Sequence, residues 1–527
     1  MKYYPAIIPT EQLLQDWNKS RWDEYQLWIN QHSLHSVSAW KRQHQHDLLL
    51  QNPPKLSIVT PVFNTAPEIL ADCILSVRTQ SYPYWQLVLA DDGSSNPETL
   101  QVLRSSLCQD PRIQVLFGKK SQGISGATNH AISIATGDYV LFLDHDDRLA
   151  LDALSLIANA IHADPDLDIV YSDRDMLSER GDRYFHLFKP DWSPETLLSG
   201  NYIFHLMCYR RALLTRLHGL RPEYDGSQDY DLILRAAETS PKVKHISEVL
   251  YHWRQHNTSV SLNEDAKDFA FQAGIRALNS ALERRGIAGV AKEIPHFSRG
   301  TYALDLVLPN NASLQVISLT EAQLGDQYAN TITQAIELYS DSSKPYIAIL
   351  SDAITPETIT TLTSLAAWLN FEGVGLATGK ILNPQGELDY VGMSYNKDTT
   401  LMHPYQSFSE TEPGYMRVTQ IARNISAPHP HCVVFKRSLW RELKGFHPLL
   451  QGPHALLDFA LRAITANQRC VIVPQCRFKL QGNTFDPTPL SDDQQLFKHL
   501  WHKAMQHGDP YYNSNLMEKT AYMGLSL

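Results

Sequence analysis

The sequence predicts an α/β protein with a largely parallel sheet, followed by a weaker second copy of the same arrangement. Short apolar segments alternate with amphipathic segments from residue 56 onward, which is the pattern of a parallel sheet with crossover helices. Acids or amides follow these apolar segments at the positions where the predicted strands end. A later segment, 346–353, repeats the pattern of residues 139–146, which indicates an internal duplication.

Composition limits the class of protein. The 527 residues are enough for two to four domains, each with its own core. The net charge of -10, without a basic block to offset it, argues against nucleic acid as a partner. Six dispersed cysteines without a C-x-x-C pair indicate reduced thiols rather than disulfides or a zinc site.

The expected location is cytoplasmic. No apolar run approaches the roughly 18 residues of a membrane span, and the first residues do not resemble a secretory signal. Residues 1–54 carry four tryptophans at helix-like intervals, so we expect a helical N-terminal segment that packs on the next domain. The alternative is that this segment contacts a membrane surface, which would give peripheral association with the inner face of the membrane.

The first predicted domain, residues 55–262, begins with strands separated by helices. Strands are predicted over 56–62, 86–90 and 113–117. The helix after the first strand has apolar residues on one face, and a shorter helix begins near Gly126. Short right-handed crossovers bring the strand ends onto one edge of the sheet, where Asn64 and Asp92 follow the first two strands.

The fourth predicted strand carries the most informative motif. Five apolar residues, 139–143, run directly into Asp144, His145, Asp146 and Asp147. Carboxylates this close repel one another unless a cation or solvent separates them, and oxygen ligands suit Mg²⁺ or Mn²⁺. Because no glycine-rich loop is present to bind phosphate, a bound diphosphate would need such a cation. The alternative is a solvated loop that caps the next helix.

Four motifs resemble a known family. They are Gly123-Ile124-Ser125, Asp144-His145-Asp146-Asp147, Lys189-Pro190-Asp191-Trp192-Ser193-Pro194 and Ser227-Gln228-Asp229-Tyr230-Asp231-Leu232. Their content and order resemble family-2 inverting glycosyltransferases of the bacterial surface-polysaccharide branch. The resemblance implies the nucleotide-diphospho-sugar transferase fold of GT-A type, a Rossmann-like mixed sheet. It also implies a UDP-, dTDP- or GDP-linked sugar donor, a Mn²⁺ or Mg²⁺ cofactor at the DXD motif, and a glycan or lipid-linked acceptor.

The same resemblance implies roles for individual residues. Thr60, Pro61 and Asn64 would border the nucleotide, Asp92 would hold its nucleobase, and Asp144 would lie near its ribose. Asp146 would bind the metal, and Asp229 would be the catalytic base. The sequence departs from the family at Arg174 and Met176, where relatives usually carry Glu and Lys. This departure concerns the acceptor site rather than the chemistry.

Asp229 also suits the role of a base on physical grounds. It opens a predicted helix, so it lies beside the helix dipole and on a rigid element from which it can face an incoming hydroxyl. The alternative is that Asp229 only caps this helix. His256, which follows a predicted strand, is a candidate for contact with the diphosphate or the metal, the alternative being a surface histidine.

Two aromatic residues are candidates for the acceptor site. Trp192 and Tyr202 have rings that could stack on a sugar, the alternative being that both pack in the core.

A connector, residues 263–294, leads to the second copy, residues 295–527, which ends in predicted helices. Lys436 through Gly445 repeats the spacing of Arg210 through Gly219. The acids of the first copy are missing: Ser351, Ala353 and Leu456 stand where Asp144, Asp146 and Asp229 stand in the first copy. We therefore expect the second copy to be degenerate.

These observations predict a metal-dependent inverting glycosyltransferase in the biosynthesis of cell-surface polysaccharide, of the O-antigen or capsule type. One alternative is a sugar-nucleotide nucleotidyltransferase, which would normally show a glycine-rich loop with Arg and Lys that residues 63–67 lack. Another is a non-catalytic scaffold that binds glycan or nucleotide. The intact acids of the first copy weigh against a scaffold.

Overall fold

The structure, a computed structural model, contains two mixed β-sheets with flanking helices. It describes residues 19–33, 36–255, 268–294, 300–309, 313–320, 327–338, 343–396, 401–452, 454–481, 491–516 and 525–526.

The first sheet is parallel in one half and mixed in the other. Its strands are β1 Leu56–Val62, β2 Trp85–Asp91, β3 Ile113–Phe117, β4 Tyr139–Phe142, β5 Arg148–Leu149, β6 Ile169–Leu177, β7 Arg183–Leu187, β8 Met207–Arg210 and β9 Val243–Arg254. The order is β3-β2-β1-β4-β8-β6-β9-β5, with β7 beside β6. The first four strands are parallel, and β8 runs antiparallel to both β4 and β6. The predicted α/β class with a mixed sheet is confirmed.

Helices cover both faces of this sheet. They are α1 Lys19–His32, α2 Val37–Leu48, α3 Pro67–Arg78, α4 Pro97–Arg104, α5 Gly123–Ile134, α6 Ala153–Ala163, α7 Arg211–Arg216, α8 Gln228–Ala237 and α9 Asp268–Arg284. Alternate residues of one strand enter different cores: Ile58 packs on the side of α3 and α6, while Val59 packs on the side of α5. Burial on both faces explains why the strands are continuously apolar.

The N-terminal helix α1 packs against the mixed half of the first sheet. Tyr25 and Trp28 are almost fully buried, and the Tyr25 hydroxyl donates a 2.7 Å hydrogen bond to Asp175 on β6. Trp28 donates through Nε1 to Asn515 near the end of the chain. These contacts join α1 to β6 and to the C-terminal part of the described chain.

The second sheet follows a hairpin of β10 Gly289–Glu293 and β11 Tyr302–Leu306. Its strands are β12 Leu314–Leu319, β13 Tyr346–Ser351, β14 Ile354–Pro356, β15 Val374–Leu382, β16 Leu388–Tyr390, β19 Arg423–Ile425, β20 Cys432–Lys436 and β21 Arg469–Leu480; a separate pair is β17 Ser394–Tyr395 and β18 Leu401–Met402. Its helices are α10 Tyr328–Leu338, α11 Thr361–Trp368, α12 Arg437–Glu442, α13 His454–Thr465 and α14 Ser491–Met505.

The second sheet repeats the first strand by strand. Its order, β12-β13-β20-β15-β21-β14, matches β1-β4-β8-β6-β9-β5. The register matches as well, since Tyr139 pairs with Arg210 and Tyr346 pairs with Lys436. Among the described residues no strand occupies the place of β2 and β3 beside β12. The predicted degenerate second copy is therefore confirmed at the level of the fold, and it lacks the edge that in the first copy carries Asp92.

The two copies are joined by buried polar contacts. Arg469 on β21 makes two 2.7 Å bonds to the carboxylate of Glu195, which lies in the first copy. Near the end of the chain, Asn513 donates through Nδ2 to Asp173 (3.0 Å) and to the carbonyl of Lys189 (2.7 Å). The second copy and the C-terminal segment thus reach the interior of the first copy.

Within the described ranges, none of the helices is both long enough and apolar enough to cross a membrane.

Candidate active site

A cavity of about 680 Å³ opens at the carboxyl ends of β1 and β4. Its polar lining includes six side chains from three segments of the first copy, namely Asp144, Asp146, Asn201, His205, Gln228 and Asp229. Of the residues predicted from sequence, Pro61, Asp144, Asp146 and Asp229 line this cavity. The ends of adjacent strands in an open α/β sheet form a crevice for ligands, which explains where the cavity lies.

The acids after β4 form one cluster. One carboxylate oxygen from each of Asp144, Asp146 and Asp147 lies within 4.8 Å of the others. Asp147 is fully buried, and its carboxylate accepts bonds from the Tyr251 hydroxyl (2.5 Å) and the backbone amide of Arg254 (2.7 Å). Asp147 therefore stabilises the turn of residues 144–147 through these hydrogen bonds, while Asp144 and Asp146 face the cavity.

The electrostatics of the cluster favour a cation. Burial raises the pKa of Asp144 to about 7, and repulsion from Asp146 and Asp229 adds to that rise. Burial also raises the pKa of Asp147, with Asp146 and Asp144 adding to it. Oxygen ligands of this kind suit Mg²⁺ or Mn²⁺, and a cation would stabilise the ionised carboxylates, so Asp144 and Asp146 fit a divalent metal. His256, the other predicted metal ligand, lies outside the described residues.

Asp229 lies in the first turn of α8, on the wall of the same cavity. Its carboxylate accepts a 2.9 Å hydrogen bond from Nδ2 of Asn201. Burial raises the pKa of Asp229 to about 6, although backbone amides of the first turn and Asn201 act in the opposite direction. The carboxylate thus bonds to the helix start, as the capping alternative requires, and also faces the cavity.

The residues expected near the nucleotide have different placements. Thr60 is fully buried in β1, and no described group bonds to its hydroxyl. Oδ1 of Asn64 accepts from the amides of Ser95 (2.8 Å) and Asn96 (2.9 Å), after β2. Asp92 accepts bonds from the hydroxyl of Ser121 and from the amides of Gln122 and Gly123, at the start of α5. Thr60, Asn64 and Asp92 therefore lie in or next to β1 and β2 and do not line the cavity.

The two aromatic candidates for the acceptor site do not line this cavity. Tyr202 is fully buried, and its hydroxyl accepts a 2.8 Å bond from the amide of Ser193. No face of its ring is open to a sugar, so its placement agrees with the core-packing alternative. Trp192 is half-buried and packs against the same core.

Arg174 and Met176, where the sequence departs from the family pattern, are both buried in β6. The Arg174 guanidinium stacks over the Trp253 ring at 4.5 Å, and Trp253 lines the cavity. Arg174 therefore contacts the cavity wall indirectly, through the ring of Trp253.

Sequence reasoning missed Asn201 and His205. Phe142 pairs with Met207 in the antiparallel β4–β8 ladder, so the residues just beyond that pair, Asp144 and His205, come together. Nε2 of His205 lies 3.4 Å from Oδ2 of Asp144, and burial lowers the pKa of His205 to about 3, so its ring is neutral. No spacing along the chain could reveal this contact, because it depends on the pairing of distant strands.

Fold and site together define an α/β protein with a cavity at the strand ends of its sheet, where carboxylates are placed to hold a cation. Comparison with known families makes this specific. Residues 57–217 match the family model Glycosyl transferase family 2. The chain contains a glycosyl transferase family 2 domain, as the sequence motifs predicted.

This chain spans between 35% and 60% of the length of three curated relatives. An uncharacterized protein, y4gI of Sinorhizobium fredii, is 31% identical over 91% of this chain and 60% of its own length. The O-antigen biosynthesis protein RfbC of Myxococcus xanthus is 27% identical over 90% of this chain and 41% of its own length. Chondroitin synthase of Escherichia coli is 27% identical over 47% of this chain and 35% of its own length.

Among solved structures, the Staphylococcus aureus TarS fragment 1-349 in complex with UDP-GlcNAc matches 43% of this chain and 66% of its own length. Its sequence is 19% identical, and the TM-score is 0.36.

Proposed function

We propose that this protein is a metal-dependent inverting glycosyltransferase that moves a sugar from a nucleotide-diphosphate donor to a glycan or lipid-linked acceptor. The observation that carries the proposal is that Asp144 and Asp146, within the residues that match glycosyl transferase family 2, line one cavity together with Asp229. Relatives named for O-antigen biosynthesis and chondroitin synthesis support a place in polysaccharide biosynthesis.

The residues have separate roles in the proposed reaction. Asp229 removes the proton from an acceptor hydroxyl while the hydroxyl oxygen attacks the anomeric carbon from the side opposite the leaving group. The bond between that carbon and the diphosphate oxygen breaks, so the sugar is transferred with inversion and the nucleoside diphosphate leaves. Asp144 and Asp146 would hold Mn²⁺ or Mg²⁺, which neutralises charge on the departing diphosphate. Thr60, Pro61, Asn64 and Asp92 form the nucleotide side of the site.

The structure supports a reaction that takes place in the first copy alone. We assign catalysis to residues 55–262, with the helical segment 1–54 before them and the connector 263–294 after them. In residues 295–527 the matching strand end carries Ser351 and Ala353, and Leu456 lies in the first turn of α13. Hydroxyl, methyl and isobutyl groups cannot bind a divalent cation strongly or accept the proton of a hydroxyl.

The test is a screen of UDP-, dTDP- and GDP-linked sugars with Mn²⁺ or Mg²⁺. We expect one class of donor to raise the melting temperature only when metal is present, because ligand binding stabilises the folded state. The same donor should release its nucleoside diphosphate slowly in water and faster with an acceptor glycan. A chain that binds none of these donors would contradict the proposal.

Addition of nucleoside triphosphates with sugar phosphates to this screen separates the two alternatives. A nucleotidyltransferase would release pyrophosphate from a nucleoside triphosphate and a sugar phosphate, without any glycan acceptor. A non-catalytic scaffold would bind donor or glycan with no turnover under any condition.

A further inference from the structure

The loop of residues 200–206, between the short 3₁₀ helix Thr196–Ser199 and β8, forms part of the cavity wall. It has no helix or strand, yet most of its side chains are buried, including Asn201, Tyr202 and Ile203. Buried backbone groups need hydrogen-bond partners, so a buried loop without regular structure must be held by other parts of the chain.

Lys189 holds this loop. Its side chain is fully buried, and Nζ donates to the carbonyl oxygens of Ser172 (2.6 Å), Ile203 (3.0 Å) and His205 (2.7 Å). An ammonium group has three donors, and these three bonds use all of them. The loop is therefore held against β6 by a side chain that does not line the cavity.

On the cavity side, the loop presents Asn201 to Asp229. The Asn201 side chain is 8% exposed, and its Nδ2 donates to Oδ2 of Asp229 at 2.9 Å. Oδ1 of Asn201 is buried and receives no hydrogen bond from the described protein. A buried acceptor without a donor is unfavourable, so this atom marks a place where a donor group of a ligand would be stabilised.

We propose that Asn201 positions Asp229 for proton transfer and that Oδ1 of Asn201 receives a hydrogen bond from a hydroxyl group of the acceptor sugar. The inference rests on the proposed function, because it assigns Asp229 the role of base. A hydrogen bond through Nδ2 restrains the carboxylate of Asp229, while the same amide orients the acceptor that Asp229 deprotonates. Asn201 is a positioning residue for the base, and Lys189 fixes the backbone from which it acts.

The test compares Asn201→Ala with Asn424→Ala in the full-length protein. Asn424 is a matched control because it is also a buried asparagine whose Nδ2 donates to a carboxylate, that of Glu195 at 2.6 Å, at the contact between the copies. With the donor and acceptor found by the screen, we expect Asn201→Ala to lower kcat about 10-fold and to raise the acceptor KM several-fold. Its donor KM and melting temperature should stay close to those of the parent.

Asn424→Ala should show the opposite pattern, with a lower melting temperature and kinetic constants within about twofold of the parent. If Asn201→Ala keeps its kcat and acceptor KM, the proposal is overturned. It is also overturned if Asn201→Ala loses stability and activity together, as a purely structural residue would.

A crystal structure of Asn201→Ala tests whether Asn201 positions Asp229, and this test needs no measurement of turnover. We expect the carboxylate of Asp229 to rotate or to become disordered while the loop keeps its course. An unchanged Asp229 carboxylate would overturn the proposal even in a chain that transfers no sugar. Failure of every donor in the screen would instead contradict the proposed function, so the two failures are distinguishable.

Discussion

Asp229 and Asp231, two residues apart on α8, have different environments. Asp229 lines the cavity, whereas Asp231 is fully buried and accepts from the guanidinium groups of Arg221 and Arg235. In the second copy Asp458 makes the same bond to Arg462, although no acid replaces Asp229. A contact that persists where the cavity acids are absent belongs to the fold rather than to the reaction.

We predict that Asp229→Asn lowers kcat by roughly 10²-fold or more, with donor affinity nearly intact. Asparagine keeps the shape and an acceptor oxygen but cannot take a proton from the acceptor hydroxyl. Steady-state kinetics with varied donor and acceptor will measure this change. Asp231→Asn is the control, because it should lower stability without a comparable loss of kcat. Equal losses of stability and activity in Asp229→Asn would favour a capping role alone.

The reaction should also depend on pH through Asp229. Burial raises the pKa of this carboxyl to about 6, and only the ionised form can accept a proton. Turnover should therefore fall as the pH is lowered through about 6 and should level off at higher pH. A profile of kcat that stays flat between pH 5 and about 7 would contradict the assignment of Asp229 as base.

We predict that Asp146→Ala abolishes the metal-dependent increase in melting temperature produced by the donor. The diphosphate would then meet the remaining acids without the cation that separates their charges. The control is Asp352→Ala, which removes an exposed acid from the matching turn of the second copy. A thermal shift that survives in Asp146→Ala would remove this residue from the metal site.

At the scale of the elements, the two copies also differ where β5 and β9 meet the acid cluster. Tyr251 on β9 pairs with Leu149, and its hydroxyl bonds to Asp147. On β21 the residue in the same register is Phe478, which pairs with Pro356. The register that matches Asp144 with Ser351 also matches Asp147 with Ile354. Both partners of this buried bond are therefore apolar in the second copy.

This comparison predicts how much the Tyr251 hydroxyl and the Asp147 carboxylate contribute together to the free energy of unfolding. Tyr251→Phe should lower the free energy of unfolding by about 1–3 kcal/mol, because Asp147 stays buried and loses a donor. Adding Asp147→Ile, as in the second copy, should cost less than the sum of the two single changes, by about 1 kcal/mol or more. Urea unfolding of the four proteins without metal measures this coupling. Additive effects would show that the hydroxyl and the carboxylate do not stabilise each other.

At the scale of the whole molecule, the second copy keeps the strand order of the first and contacts it. Its sheet keeps the strand order, and Arg462 repeats the contacts of Arg235 with two backbone carbonyls. It lacks counterparts of β2 and β3 among the described residues, and a serine and two apolar residues replace the acids. Arg469 and Asn513 instead bond to the interior of the first copy.

We predict that the full-length protein with Asp146→Ala and Asp229→Asn together transfers no sugar above background. The proposed base and one of the two acids proposed to hold the metal would then be missing from the first copy, and Ala353 and Leu456 stand at the matching positions of the second. The measurement is product formation over long incubation, with the parent as the control. Transfer at a rate near the parent would mean that the second copy is catalytic by another route.

The sequence by itself determined the class of fold, the duplication and the candidate acids. Strand and helix alternate with periods that can be read along the chain, and Asp144, Asp146 and Asp229 lie at the ends of elements that this pattern defines. The family motifs are local as well, so they are visible without coordinates. The loss of acids at Ser351, Ala353 and Leu456 needed only the alignment of one copy with the other.

The tertiary structure alone decided which side chains meet. The contact of His205 with Asp144 depends on the antiparallel pairing of β4 with β8, and that of Asn201 with Asp229 depends on the loop that Lys189 holds. Burial decided whether Tyr202 can bind a sugar. Its ring has a shape that could stack on a sugar, but it lies wholly in the core. Pairing of distant strands and exclusion of solvent are properties of the packed chain, so no spacing between neighbouring residues can reveal them.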